Sequence, residues 1–217
     1  MKNFRYIILI SSFFIFLGPL SAQEQKMETH KLGILFGLNQ IFITNGFNVE
    51  INYWLENFVL DYSHGFGLEL KNNLVSVEAK NQKLNFNISH SLGVGVGYRI
   101  TKNFNIRLEP KLHVWEVYYE DQFKIPNQKI KDYKTYTLGL GAYYLWKPFH
   151  HESNFLSGLT VAPSIRWWPN IDSTLKNNEL KYFNDKAGKD EIHKVNNIGY
   201  NNSSFFANIS IGYTINF

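Results

Sequence analysis

A seventeen-residue alternation of side-chain types constrains the fold of this chain more than any other feature. It covers residues 84–100, LNFNISHSLGVGVGYRI, where an apolar residue stands at nearly every second position and only His90 interrupts the series. The positions between them carry Asn, Ser, Gly and finally Arg99. A period of two predicts a β-strand with two chemically different faces, and this one is much longer than the usual strand of about 5–6 residues.

The chemistry of the polar face predicts which way the strand points. A soluble sheet turns such a face to bulk water, where Lys, Glu, Thr and Asp normally dominate. Here the face is mostly Gly, Ser and Asn, which are small enough for a crowded interior. Small membrane barrels place apolar side chains outward against lipid and small or polar side chains inward. The pattern therefore predicts an all-β fold that closes as a transmembrane β-barrel.

Length and the N-terminal residues predict one secreted domain. Residues 1–22 have the features of a secretory signal peptide, because Lys2 and Arg5 precede an apolar run and a plausible cleavage site follows Ala22. The run is shorter than the roughly 20 residues that a membrane helix needs. Residues 23–30 form a polar leader and residues 31–217 the barrel. Removing the signal peptide lowers the formal net charge from +4 to +2.

Composition excludes several other classes. The chain has no cysteine, so it has no disulfide scaffold, no thiolate metal site and no lipidated N-terminal cysteine. No Lys- and Arg-rich run with interleaved aromatic residues occurs, so we expect no nucleic-acid partner. No later segment is long and apolar enough for a membrane helix. If the mature chain enters a membrane, only a closed barrel satisfies its backbone.

The alternation predicts eight antiparallel strands in up-and-down order. They are expected at residues 31–44, 47–54, 58–70, 84–100, 104–118, 133–146, 155–168 and 198–217. Asn45-Gly46 predicts a two-residue hairpin, and Pro110 predicts a bulge. The connections 71–83, 120–132 and 169–197 are long and polar, which is typical of external loops, so both chain ends are expected in the periplasm.

Aromatic residues cluster near both ends of the predicted strands and predict two interfacial girdles. The periplasmic group is Tyr53, Trp54, Tyr98, Phe104, Tyr144 and Trp146. The external group is Trp115, Tyr118, Tyr119, Tyr133, Trp167 and Trp168.

Ionisable residues on the inward face are the candidate functional set. They are Glu50, Asp61, Arg99, Arg107, Glu109, Lys111 and Arg166. Buried charges persist when they are paired and hydrogen-bonded, and Glu109 stands between Arg107 and Lys111 at alternate positions of one strand, where it could bridge them. An eight-stranded barrel is about wide enough for side chains to fill. We therefore expect a lumen charge network that plugs the barrel and leaves no open pore.

The last residues carry a specific resemblance. The chain ends Gly212-Tyr213-Thr214-Ile215-Asn216-Phe217, which resembles the C-terminal signal of outer-membrane β-barrel proteins: a Gly, alternating apolar residues and a final aromatic. With its leader, the chain resembles the small eight-stranded barrels typified by OmpX and the OmpA membrane domain. The Asn-rich composition and the Leu-Ser-Ala-Gln junction are similar to Bacteroidota outer-membrane barrels. The resemblance implies insertion into the outer membrane by the barrel-assembly machinery, with Gly212, Ile215 and Phe217 as the assembly signal.

The motifs that could carry catalysis or bind a metal are less specific than the C-terminal resemblance. His151-Glu152-Ser153-Asn154 resembles, in its local spacing, the His-x-Ser-Asn motif of outer-membrane lipid A deacylases. It lies in a predicted periplasmic turn, and predicted strand seven has no carboxylate to orient the imidazole. His150 and His151 are adjacent and rarely converge on a metal. His64 and His90 are expected to face outward, near an interface. The glycines of GVGVG lie inside a strand, which excludes a phosphate loop.

The sequence thus predicts a monomeric outer-membrane barrel with a filled polar interior, no catalytic residues, no metal site and no cofactor. Its expected partners are outer-membrane lipid and a protein bound at the external loops by β-augmentation. Two other functions stay open: a lipid-modifying hydrolase, and a narrow channel for small solutes or hydrophobic molecules.

Overall fold

A computed structural model describes residues 30–70, 74–195 and 203–217. The predicted signal peptide and the first part of strand eight therefore lie outside the described residues, as does the leader up to residue 29. The described strands are β1 His30–Gly37, β2 Phe47–Leu55, β3 Phe58–Leu70, β4 Leu84–Arg99, β5 Phe104–Tyr119, β6 Lys131–Tyr144, β7 Leu159–Trp167, β8 Asn170–Ser173, β9 Glu179–Asn184, β10 Lys189–Lys194 and β11 Phe205–Asn216. The described α-helices are α1 Leu38–Phe42 and α2 Val77–Asn81.

The strands form one large antiparallel sheet and a separate hairpin, so the prediction of an all-β protein is confirmed. The order in the sheet is β5-β4-β3-β2-β1-β11-β7-β6-β8, and β5 also pairs with β6. The β9–β10 hairpin pairs only with itself among the described residues. His30 and Asn216 lie at one end of the sheet, which we call the terminal end, and the opposite end is the far end.

The two faces of the sheet differ in chemistry. The inner face carries buried polar and charged side chains, exemplified by Asn52 and Arg107. The outer face carries exposed apolar side chains, such as Leu60 at 50% and Val94 at 58% exposure. The predicted alternation in strands two and six is confirmed, because every second residue of β2 and β6 is buried.

The first connection differs from the predicted hairpin. The chain leaves β1 after Gly37 and forms α1, and the amide of Gly46 donates to the carbonyl of Gln40 at 2.8 Å. A two-residue hairpin of type I′ needs positive φ at both central residues. Asn45 has a φ of 50°, whereas Gly46 is not among the described glycines with positive φ. Gln40 is the buried residue of this short helix.

The alternation in β4 is interrupted, and the prediction that it continues without a break is wrong. The register with β5 shifts between the pairs Ile88–Trp115 and His90–Val114, so Ser89 is an extra residue in a β-bulge. Between this bulge and the far end of the sheet, the apolar residues of β4 point inward. Leu84, Phe86 and Ile88, predicted to face lipid, are therefore buried inside.

The neighbouring strand changes faces at the same level. Gly67 of β3 has a φ of 64°, a conformation that glycine adopts without steric cost. Beyond it, Leu68 and Leu70 pack against buried apolar residues, although Leu68 was predicted to face outward. The predicted bulge at Pro110 is wrong, because Pro110 stays in register with Leu138 of β6.

The predicted polar loop 169–197 contains β8, β9 and β10. We call these three strands, together with α2 and the far-end parts of β3–β6, the cap. The loop prediction is wrong because the buried Leu180 and Tyr182 alternate with more exposed residues and cover one face of the hairpin. The cap core consists of Val75, Ala79, Leu84, Phe86, Ile88, Trp115, Val117, Tyr119, Tyr133, Trp168, Leu180, Tyr182 and Val195.

This core also explains why the predicted external girdle is wrong. Of its aromatic residues only Trp167 is exposed, because the others are buried in the cap or at its base. At the terminal end the exposed members are Tyr98, Tyr144 and Trp146, while Trp54 points inward. No helix among the described residues is long and apolar enough to cross a membrane.

Candidate functional site

Six ionisable side chains from four strands converge on the inner face, and we call them the inner charge cluster. They are Glu50 of β2, Asp61 of β3, Arg107, Glu109 and Lys111 of β5, and Arg166 of β7. Three are carboxylates and three are cations, and each is at most 7% exposed. The formal charges therefore balance within the cluster.

The shorter of the two ion pairs within the inner charge cluster joins β7 to β2. Arg166 Nη2 donates to Glu50 Oε1 at 2.6 Å, and both side chains are almost completely buried. Arg166 Nε also donates to Ser164 Oγ at 3.2 Å. Its guanidinium lies 4.8 Å from the centre of the Tyr143 ring. A buried charge needs such multiple partners because water cannot solvate it.

A second ion pair joins β5 to β3. Arg107 Nη1 lies 3.5 Å from Asp61 Oδ2, and Arg107 Nε donates to Asn105 Oδ1 at 2.7 Å. Arg107 also donates a hydrogen bond to Asn52 of β2. Its guanidinium lies 4.0 Å from the centre of the Tyr143 ring, which Arg166 also contacts. Tyr143 is thus shared by two cations.

Glu109 and Lys111 take partners that the sequence does not predict. Glu109 Oε1 accepts a hydrogen bond from the Tyr143 hydroxyl at 2.5 Å, and among the described residues it forms no ion pair with its neighbours on β5. Lys111 Nζ donates to Ser63 Oγ at 2.7 Å and lies 4.4 Å from the centre of the Trp168 ring.

Arg99, the remaining predicted member, lies apart from this cluster. Its Nη1 donates to the carbonyl of Glu56 at 2.7 Å and its Nη2 to the carbonyl of Lys102 at 3.2 Å. These carbonyls belong to two turns at the terminal end. Arg99 therefore ties these turns together there.

The glycines of β4 make room for the inner charge cluster. A Cβ atom at Gly93 would lie 2.5 Å from Lys111 Cγ, and one at Gly97 would lie 2.7 Å from Arg107 Cγ. A Cβ atom at Gly95 would overlap the Asp61 carboxylate. Larger residues here would displace the charged side chains, which accounts for the repeated glycines in this strand.

A layer of uncharged polar groups separates the inner charge cluster from the cap core. His113 lies within hydrogen-bonding distance of Ser91 Oγ at 2.9 Å and of Thr137 Oγ1 at 3.0 Å. Trp168 lies on the boundary, since it belongs to the cap core and also covers Lys111. Sequence reasoning missed Tyr143, His113 and Trp168, although their positions in the alternation are inward.

The histidine motifs do not form a catalytic arrangement among the described residues. His151, Ser153 and Asn154 lie in an exposed segment, where Asn154 accepts from the amide of Leu156. The ring centres of His150 and His151 lie 3.7 Å apart, with the ring planes tilted by 41°. No group of three or more histidine or acidic residues that could hold a metal ion occurs in the described ranges.

His64 and His90 pair on the outer face. The Nε2 atom of His64 lies 3.2 Å from the Nδ1 atom of His90, on adjacent strands. His64 also meets the edge of Phe66, with ring centres 6.0 Å apart.

The C-terminal residues form the last part of β11 and its end. A Cβ atom at Gly212 would lie 2.7 Å from Leu35 Cα and would overlap the carbonyl of Ile34, so the β1 backbone requires glycine there. Ile215 faces outward opposite Leu32, and the Phe217 ring stacks with His30 at 6.0 Å.

Two comparisons with known proteins yield no relative. No family model matches this chain, and no curated protein matches it significantly.

Proposed function

We propose that this chain is an integral outer-membrane β-barrel with a filled interior, whose cap serves as a binding platform outside the cell. The single observation that carries the proposal is the inversion of the two faces: Ile165, at 64% exposure, stands next to Arg166, at 1%. In water this arrangement would expose apolar surface and bury charge, both of which cost free energy. In a bilayer the same arrangement is stable, because the apolar face contacts hydrocarbon.

Strand pairing supports closure of the sheet. β5 pairs with β4 on one edge and with β6 on the other, so eight strands follow one another in a ring of hydrogen-bonded neighbours. A closed barrel leaves no backbone group unsatisfied in hydrocarbon. The terminal end then faces the periplasm and the cap faces outside, because the longer connections of bacterial barrels are external.

Packing supports a plug in preference to a channel. The inner charge cluster joins β2, β3, β5 and β7 across the interior through ion pairs and the shared Tyr143 ring. Trp168 and the cap core then cover it at the far end. We expect no single-channel conductance from the purified protein in planar bilayers, and regular openings would contradict a filled interior.

The β9–β10 hairpin supports a protein partner. Both of its outer edges lack a strand neighbour among the described residues, and an extended segment could add there by β-augmentation. Phe183 and Ile192 are exposed on the hairpin face that points away from the cap core. A photo-crosslinker at Phe183 should capture a surface partner in intact cells, whereas one at Lys147, at the terminal end, should not.

Single-cysteine labelling tests the membrane placement, since the natural chain has no cysteine that would interfere. Val94→Cys on the outer face should react slowly with a water-soluble maleimide in intact membranes. Lys181→Cys on the exposed hairpin should react quickly from outside the cell. Equal rates at the two positions would overturn the proposal.

The C-terminal residues support assembly by the barrel-insertion machinery, as their resemblance implies. Deleting Phe217 should reduce the fraction of protein in the membrane-inserted, heat-modifiable form, while Phe155→Ala at the same end should not. Equal insertion of both variants would count against an assembly signal.

A further inference from the structure

The apolar outer wall of the sheet contains a pair of polar side chains, His64 of β3 and His90 of β4. The Nε2 atom of His64 lies 3.2 Å from the Nδ1 atom of His90, and the ring centres are 5.5 Å apart. Their outward neighbours Tyr62, Phe66 and Leu92 are all exposed. Ionisable residues are rare on a lipid-facing wall and mark functional sites where they occur. Neither the inner charge cluster nor the cap accounts for this pair.

The depth of the pair follows from its place on β3, and this step rests on the proposed function, which puts the wall in a bilayer. His64 stands six residues after Phe58, the first residue of β3 at the terminal end. At about 3.3 Å per residue and a strand tilt of roughly 35–45°, six residues rise about 15 Å along the membrane normal. The apolar band of such barrels is about 25 Å tall. The imidazoles therefore lie in hydrocarbon, deeper than the interfacial position that the sequence predicts.

Two neutral imidazoles cannot satisfy each other completely. Each carries one N–H and one bare nitrogen, so it can donate once and accept once. The contact between the two rings uses one donor and one acceptor, whichever ring carries the donated hydrogen. The remaining nitrogens, Nδ1 of His64 and Nε2 of His90, make no hydrogen bond within the described residues. One of them is a donor and the other an acceptor, and leaving both unpaired in hydrocarbon costs free energy.

A second copy of the same pair supplies both missing partners. Four imidazoles, each donating once and accepting once, close a ring of four hydrogen bonds in which no nitrogen is left over. Lipid tails offer no such partner. Polar side chains that hydrogen-bond across spans join membrane proteins in this way, and a two-fold contact uses the same patch on both copies.

Exposed apolar side chains continue the patch beyond the far end of the apolar band. The segment between β5 and β6 lies over the same wall, because Lys124 forms an ion pair with Glu69 of β3. On this segment Phe123 is 78% exposed and Ile125 is 42% exposed. Exposed apolar groups of this kind mark interaction surfaces. A copy facing the β3–β4 wall would cover them as well.

We propose that this protein forms a two-fold homodimer in the membrane through the β3–β4 wall, with His64 and His90 of both copies joined in a ring of four hydrogen bonds. The sequence predicts a monomer, and the histidine pair is the feature that requires a second copy. The two caps then lie side by side on one surface of the membrane. The dimer thus presents two β9–β10 hairpins to a partner.

Energy transfer in lipid vesicles tests the dimer. Lys181→Cys on the exposed hairpin takes a donor dye in one sample of the purified protein and an acceptor dye in another, since the natural chain has no cysteine. Both samples are reconstituted together in phosphatidylcholine vesicles with EDTA, which excludes a metal bridge between imidazoles. Transfer should persist on dilution with lipid. His64→Phe and His90→Phe should each raise the dissociation constant about tenfold, whereas the exposed His150→Phe should leave it unchanged.

Crosslinking locates the contact independently of the histidine variants. Leu92→Cys, exposed opposite His64 on the adjacent strand, should form a disulfide-linked dimer when the same vesicles are oxidised with iodine. Ile209→Cys, exposed on β11 across the ring of strands, should stay monomeric.

Heat-modifiable migration reports insertion separately from association. Wild type that inserts but shows no transfer, or transfer that His64→Phe and His90→Phe leave unchanged, overturns the dimer and leaves the barrel standing. Equal crosslinking of Leu92→Cys and Ile209→Cys overturns it even if the histidine variants fail to insert. Wild type that does not insert overturns the proposed function, and the dimer with it.

Discussion

Arg166 and Glu50 form an ion pair of 2.6 Å that links β7 to β2, although 116 residues separate them in sequence. Both side chains are at most 3% exposed, so neither charge has water as an alternative partner. The pair thus connects two strands that are not neighbours in the sheet.

Removing one member of this pair should be costly. Arg166→Gln leaves the Glu50 carboxylate buried without its cation, and we expect a loss of about 3 kcal/mol in unfolding free energy. The double variant Glu50→Gln/Arg166→Gln should lose less than the two single variants together. Denaturant unfolding in micelles measures both. The control is Glu179→Gln, which breaks the exposed pair with Lys181 and should change the unfolding free energy by less than about 1 kcal/mol. An equally small effect of Arg166→Gln would contradict the burial of its ion pair with Glu50.

Gly95 should resist substitution because its Cβ position is occupied by the Asp61 carboxylate. Gly95→Val would push Asp61 away from Arg107, and we expect a destabilisation of about 1–3 kcal/mol in the same unfolding experiment. Val94→Leu is the matched control, since its side chain points outward from the adjacent position. Equal stability of the two variants would show that Asp61 relocates freely.

The bulge at Ser89 should control burial in the cap. Deleting Ser89 restores continuous alternation and would turn Phe86 and Ile88 outward, away from the cap core. Limited proteolysis of membranes should then cut the cap rapidly while the sheet stays intact. Ser89→Ala removes only the hydrogen bond to the carbonyl of Val114, 3.3 Å away, and should leave the cap protected. A protease-resistant cap in the deletion variant would refute this role.

The cap should loosen in acid through His193. Burial holds the pKa of this histidine below its ordinary value, so the folded cap favours the neutral ring. Its contribution to stability is complete above the unfolded pKa of about 6.5 and is lost as the pH falls below that value. Hydrogen exchange of β9 and β10, corrected for intrinsic rates, should show more opening at about pH 5 than at about pH 7.5. His193→Gln should remove this dependence and the exposed His150→Gln should keep it; an unchanged dependence in His193→Gln would assign it to another group.

The sequence predicts that the two faces of the sheet differ in chemistry, but it does not predict that β4 exchanges its inward and outward residues at Ser89. In β2 and β6 alternation alone identifies the buried residues, because no bulge intervenes and each side chain follows the pleat. In β4 the extra residue is Ser89, a small polar residue among other small polar residues, so the pattern gives no sign of a shift. As a result, Leu84 and Phe86, which the alternation predicts to face lipid, belong to the cap core.

The charged members of the candidate site, apart from Arg99, could be predicted from the sequence, but their pairing could not. Alternation places Glu109 and Lys111 on one face of β5, but it cannot tell which side chains of other strands they contact. Their partners Tyr143 and Ser63 come from β6 and β3. The cap was missed because its strands are short, and the turn between β9 and β10, with Gly188 at a φ of 64°, lies in a charged segment that resembles a plain loop.

Trp168 touches two chemically opposite environments with one indole ring, since it covers Lys111 and packs in the cap core. A tilt of that ring cannot suit one environment without disturbing the other. Packing of the cap core and the arrangement of the buried charges are therefore coupled through Trp168, and variants on its two sides will not act independently.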